Sequence, residues 1–192
     1  MLVRALSCAR IGLQMLNIQP RKIEAISPTQ MMVEFLRVKD NTCIAYMFTF
    51  SDNPRCISDY PKEFYFDTMD DMAEIWLTHA LHCFDKAREV GVVIGQDGER
   101  MVPVCLSIKE DMPDLSLYNV SFISSTGMKD YTVRVVGDSR NREATWEFGS
   151  CKTWMEDGQF RFEDITPSFE PLLKAVLRLH EARQFESEVA RS

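Results

Sequence analysis

Residues 117–136 read LYNVSFISSTGMKDYTVRVV, two short runs in which apolar and polar residues alternate around a turn-like centre. Tyr118, Val120 and Phe122 share one parity and Asn119 and Ser121 the other; Tyr131, Val133 and Val135 are opposed in the same way by Thr132 and Arg134. Successive strand side chains point to opposite faces, so this pattern predicts two strands with one dry and one wet face. Half-buried strands of this kind belong to antiparallel sheets.

The alternation continues towards the C-terminus. ATWEFG puts Trp146 and Phe148 on one face, and QFRFED does the same with Phe160 and Phe162. The intervening STGMKD, GDSRNRE and CKTWMEDG read as turns, giving a four-run meander. Upstream, VVIG and RMVPVCLSI flank QDGE, where Asp97-Gly98 predicts a hairpin, and Pro103 places its strand at an edge or a bulge. KEDMPDLS reads as a loop, as do NIQPRK, ISPTQ and SDNPRCISDYPKE. Residues 31–38 and 42–50 form a further hairpin around Asp40-Asn41.

Two helices complete the pattern. The first spans about 68–90, with Asp67 or Thr68 as cap, Asp70 and Asp71 near its positive end and Gly91 as its stop. The second spans about 167–188, with Thr166 as cap and Pro167 at its first position. Its core stripe is Phe169, Leu172, Leu173, Val176, Leu179 and His180. The expectation is a single α+β domain over residues 23–192: an antiparallel sheet of about six to eight strands packed by two main helices. Residues 1–22 are set apart as a basic N-terminal segment. The order of strands followed by a long final helix over residues 92–188 resembles helix-grip ligand-binding folds. That resemblance implies a cavity between sheet and helix, and it rests on element order rather than on any motif.

Charge and cysteine usage narrow the function. The 192 residues carry a net charge of −7, while the first 22 hold four basic residues and no acid, so the acidic excess lies entirely in the remainder. Nucleic-acid binders draw affinity from phosphate neutralisation, and such a body argues against that role and favours a basic partner surface. Six cysteines without a C-x-x-C pair or a secretory signal suit free thiols in a reducing, cytoplasmic setting. The acid-free amphipathic start, residues 1–14, offers a mitochondrial presequence as the alternative, beside a docking helix or an over-extended start. No run of apolar residues is long enough to span a bilayer.

Candidate chemistry is sparse. WLTHALHCFD, residues 76–85, holds His79, His82 and Cys83. On a helix His79 and Cys83 share a face while His82 turns towards solvent, and with His180 from the second helix the first two form a weak candidate for a zinc-type site. A helix core accounts for the same residues more simply. Cys56 and Cys151 lack an identifiable base, and no P-loop, dinucleotide fingerprint or calcium loop is present, so no catalytic residue and no cofactor are assigned. DYPKEFYFDTM packs Tyr60, Phe64, Tyr65 and Phe66 among Asp59 and Glu63, a candidate partner-binding patch. The leading expectation is a non-enzymatic binding protein acting on another macromolecule, as adaptor, inhibitor or assembly factor, a class that includes phage-encoded inhibitors. A homodimer is a further expectation, because sheet edges can pair. The alternatives are an apolar-ligand carrier, its cavity lined by Trp146, Phe148, Phe160, Phe162, Val176 and His180, and a metal-dependent enzyme using His79, Cys83 and His180.

Overall fold

A computed structural model describes residues 18–37, 40–50, 57–59, 71–94, 98–112 and 114–189. The strands are β1 (Ile18–Ser27), β2 (Gln30–Arg37), β3 (Thr42–Phe50), β4 (Ile57–Asp59), β5 (Val92–Ile94), β6 (Glu99–Met112), β7 (Leu115–Ser124), β8 (Gly127–Asp138), β9 (Asn141–Trp146), β10 (Gly149–Glu156) and β11 (Gln159–Glu163). The helices are α1 (Asp71–Val90) and α2 (Glu170–Val189). Ten strands lie side by side in the order β11-β10-β9-β8-β7-β6-β1-β2-β3-β4, with β5 paired to one end of β6. Every described pairing is antiparallel. The architecture is therefore the expected α+β, with more strands than the six to eight anticipated.

The additional strands have physical explanations. In β1 the inward residues are Ile18 and Pro20, then Ile23, because register shifts between Pro20 and Lys22 and again between Ala25 and Ser27 break the two-residue period. Proline is tolerated in a strand at such a bulge. β1 thus joins the N-terminal hairpin to the meander through Lys22–Glu24, which lie opposite Cys105–Ser107 of β6. It also takes residues 18–22, which the sequence sets apart, into the sheet. β10 turns Cys151 and Thr153 inward and leaves Trp154 partly exposed, so its large aromatic points away from the core and disguises the alternation. The expected loop at KEDMPDLS is replaced by an extension of β6 to Met112, with a bulge between Ile108 and Glu110. Pro103 sits at a bulge, as expected, although β6 is central rather than an edge.

Inward strand residues and both helices share one core, including Ile23, Val33, Phe35, Tyr118, Val120, Val133 and Ala144. Leu172, Leu173, Val176, Leu177 and Leu179 of α2 are all fully buried, so this helix is enclosed nearly all round by α1 and the sheet. At the end of α1, Gly91 takes φ +75° and donates its N–H to the Ala87 carbonyl at 2.9 Å. Arg100 then donates to the carbonyls of Val90 and Glu89 at 3.0 and 3.1 Å, so a β6 side chain satisfies the helix terminus. Among the described residues, no helix is long and apolar enough to cross a membrane.

Candidate functional site

Because α2 is enclosed nearly all round, three ionisable residues near its middle are buried with it. His180, Glu181 and Arg183 are 6, 7 and 6% exposed. Each meets a partner on the inner face of the sheet or at a strand terminus. Arg142, on the inner parity of β9 with Ala144, forms an ion pair with Glu181. Arg183 donates to the Asp111 carboxylate of β6 at 2.7 Å and to the Pro20 carbonyl of β1 at 2.7 Å. Ser116 donates to the other Asp111 oxygen at 2.7 Å. Tyr118 of β7 and His180 Nδ1 lie 2.9 Å apart. Four strands and one helix are thus joined through a buried polar network.

The network fixes protonation states. Burial, reinforced by the positive charges of Arg142 and Arg183, pushes His180 down to about 4, so its imidazole is neutral near pH 7. Burial holds the Tyr118 hydroxyl protonated well above its ordinary range. Burial raises the Asp111 carboxyl, but the hydrogen bond and charge of Arg183, with Ser116, outweigh it and leave the group below its ordinary value.

A recess of about 220 Å³ opens beside this network, and its lining includes Asp114, Ser116, Asp138, Arg142, His180 and Glu181. Asp138 is placed by the β8–β9 turn. Gly137 takes φ +97°, and the Asp138 carboxylate accepts the N–H groups of Arg140 and Asn141 at 2.9 and 3.2 Å. Those bonds hold it ionised, below the ordinary carboxylate value. Arg142 is 4% exposed, and its Nε–H has no hydrogen-bond partner among the described residues. The recess therefore combines a buried donor, a neutral histidine and carboxylates in one small space.

The residues singled out from sequence are distributed differently. Arg178 of α2 lies against α1, its guanidinium 4.2 Å from the Trp76 ring centre and 4.9 Å from that of Phe160 of β11. His180 is two residues further along and so about 200° around the helix, facing Tyr118 instead of His79 and Cys83. Among the described residues, no three His, Cys, Asp or Glu side chains stand close enough together to hold a metal ion. The two α1 histidines also exchange the expected environments: His79 is exposed at the edge of Trp76, whereas His82 is half-buried with its ring 5.6 Å from Phe50. Burial lowers both histidines and raises the Cys83 thiol. His82 and Cys83 instead border a groove of about 390 Å³ between the helices, with Pro167, Pro171 and Lys174.

The six residues expected to line an apolar cavity pack against neighbouring side chains. Trp146 stacks on Phe169 at 4.2 Å, Phe160 lies 6.2 Å from Trp76, Lys174 covers Phe162, and Val176 is fully buried. Phe148 falls in the turn after β9 rather than within a strand, and is 53% exposed beside Tyr131. His180 lines the polar recess. Tyr60, Glu63, Phe64, Tyr65 and Phe66 lie outside the described residues, and Asp59 is described only through its backbone pairing with Thr49 in β4.

Sequence reasoning missed Asp111, Arg142, Glu181 and Arg183. A signal was present: Arg142 has the parity of Ala144, and Arg183 continues the α2 stripe three residues after His180. No protein-family model matches the chain, and neither a curated protein nor a solved structure matches it.

Proposed function

We propose that the protein is a non-enzymatic binding module that acts through macromolecular contact, as an adaptor, inhibitor or assembly factor. On this reading the recess between α2 and β7–β9 receives a polar group from the partner. The observation that carries the reading is the recess itself, walled by a buried ion pair and a neutral histidine. Buried ion pairs give little net stability compared with apolar packing, so a charged wall in the core is better explained by recognition than by folding. Its size points the same way. About 220 Å³ lies below the roughly 300–1,000 Å³ of sites that enclose drug-sized ligands, and suits an inserted side chain.

The test is site-specific photo-crosslinking of the full chain in native cell extract. A photoreactive residue replaces Gln184, which lines the recess, or Lys152, which lies on the exposed face of β10. The expected outcome is a discrete macromolecular adduct from position 184 that position 152 does not give. Identical adducts from both positions, or none from 184, would remove the basis of the proposal.

A further inference from the structure

We infer that the pairing of β1 with β6 is a seam at which the N-terminal strands β1–β3 part from the meander while both keep their structure, and that Arg183 is the latch that holds the seam closed. Seam and latch are independent of what the recess binds.

Two long strands meet here over a very short ladder. β1 has 10 residues and β6 has 14, yet only Lys22–Glu24 and Cys105–Ser107 pair between them. Each strand pairs far more extensively with its other neighbour, β1 with β2 and β6 with β7. Bulges explain the difference. Against β2, the extra residues of β1 are Arg21 and Ile26; against β7, those of β6 are Val104 and Lys109. All four flank the three-residue seam, so both strands bend at both of its ends and diverge there. Pro20 and Pro103 lie just beyond and have no N–H with which to extend the ladder.

A side chain ties the strands together where they separate. Arg183 of α2 donates to the Pro20 carbonyl of β1 and to the Asp111 carboxylate of β6, each at 2.7 Å. Its side chain is 7% exposed, so these bonds form away from competing water. Within the seam Ile23 stands opposite Leu106, and both are fully buried. Opening breaks the latch and this apolar contact, which keeps the open form a minor one. It leaves the long ladder between β7 and β8 intact, and so costs less than global unfolding. The backbone amides that face the seam lose their partners in the open form and report on it.

The experiment follows native-state amide hydrogen exchange of the ¹⁵N-labelled full chain in low, increasing urea. The seam-facing amides of residues 22–24 and 105–107 should exchange faster than those of residues 118–122 and 131–135. Their rates should also depend less on urea, because a partial opening exposes less surface. Arg183→Met should speed the seam amides about tenfold to hundredfold, the scale of a hydrogen bond to a charged group. Asp111→Asn keeps an acceptor for Ser116 and removes the charge that Arg183 meets, so it should act in the same direction even if Arg183→Met fails to fold. Variants that speed residues 118–122 and 131–135 but leave the seam rate unchanged would overturn the latch. Glu24→Cys places a thiol directly opposite Cys105, and the resulting disulfide should slow the seam amides at least about tenfold, reversibly on reduction. Parent seam amides that share the rate and urea dependence of residues 118–122, or that ignore the disulfide, would overturn the seam itself.

Discussion

The Arg142–Glu181 pair makes the sharpest claim about what the interior of this protein contains. The two side chains are 5 and 9% exposed and join β9 to α2. Removing one partner strands the other charge in the core, which costs roughly 3–5 kcal/mol. Total stabilities of natural domains run to about 5–15 kcal/mol, so Arg142→Met or Glu181→Leu alone should remove a third or more of the whole. Replacing both leaves an apolar contact of similar volume, and the double variant should lie within about 1 kcal/mol of the parent or above it. The coupling energy from the cycle should then exceed about 2 kcal/mol. Urea unfolding at pH 7, followed by circular dichroism and by the fluorescence of the three tryptophans, measures all four proteins. Single-variant losses below about 1 kcal/mol that simply add would refute the burial and pairing on which the site is built.

Other expectations follow from the same network and its surroundings. His180, at about 4 when folded and near 6.5 when unfolded, binds its proton more readily in the unfolded chain. Its contribution is therefore fully present above about pH 6.5 and is lost as pH falls towards 4, about 3 kcal/mol in all; an imidazole titrating near 6.5 in the folded protein by proton NMR would contradict this. Gly91→Ala should cost about 1–2 kcal/mol in thermal unfolding, because its φ of +75° is left-handed and a Cβ would meet the Arg100 guanidinium; an unchanged Tm would argue against that helix stop. Arg178→Met should destabilise by about 1 kcal/mol and alter tryptophan emission, since its guanidinium lies over Trp76; an unaltered spectrum would place the side chain elsewhere. Iodoacetamide at pH 8 should label exposed Cys43 well before Cys151, whose thiol burial pushes up to about 11; equal rates by peptide mapping would contradict the inward face of β10.

The meander and the helices were legible because their apolar residues keep one period over several turns or several pairs. Tyr118-Val120-Phe122 and Tyr131-Val133-Val135 declare their faces without help from the rest of the chain. β1 and β10 were not, for different reasons. Bulges at Pro20 and Ser27 shift the phase of β1 along its length. β10 reverses the usual preference by turning Trp154 outward and Thr153 inward. The recess was hidden for a third reason. Arg142, Glu181 and Arg183 are residue types that ordinarily face water, and only their burial between α2 and the sheet obliges them to pair. WLTHALHCFD drew notice through residue identity alone, but Arg178 lies over its Trp76 while His180 faces Tyr118 of the sheet.

The most direct test of the recess observes Arg142 itself. The arginine Nε–H region of a ¹H–¹⁵N spectrum, with the Arg142 resonance assigned by its disappearance in Arg142→Lys, reports whether that atom is shielded from water. The burial of this side chain predicts a slowly exchanging Arg142 Nε–H. A resonance that exchanges freely with water would contradict the buried pairing on which the recess is built.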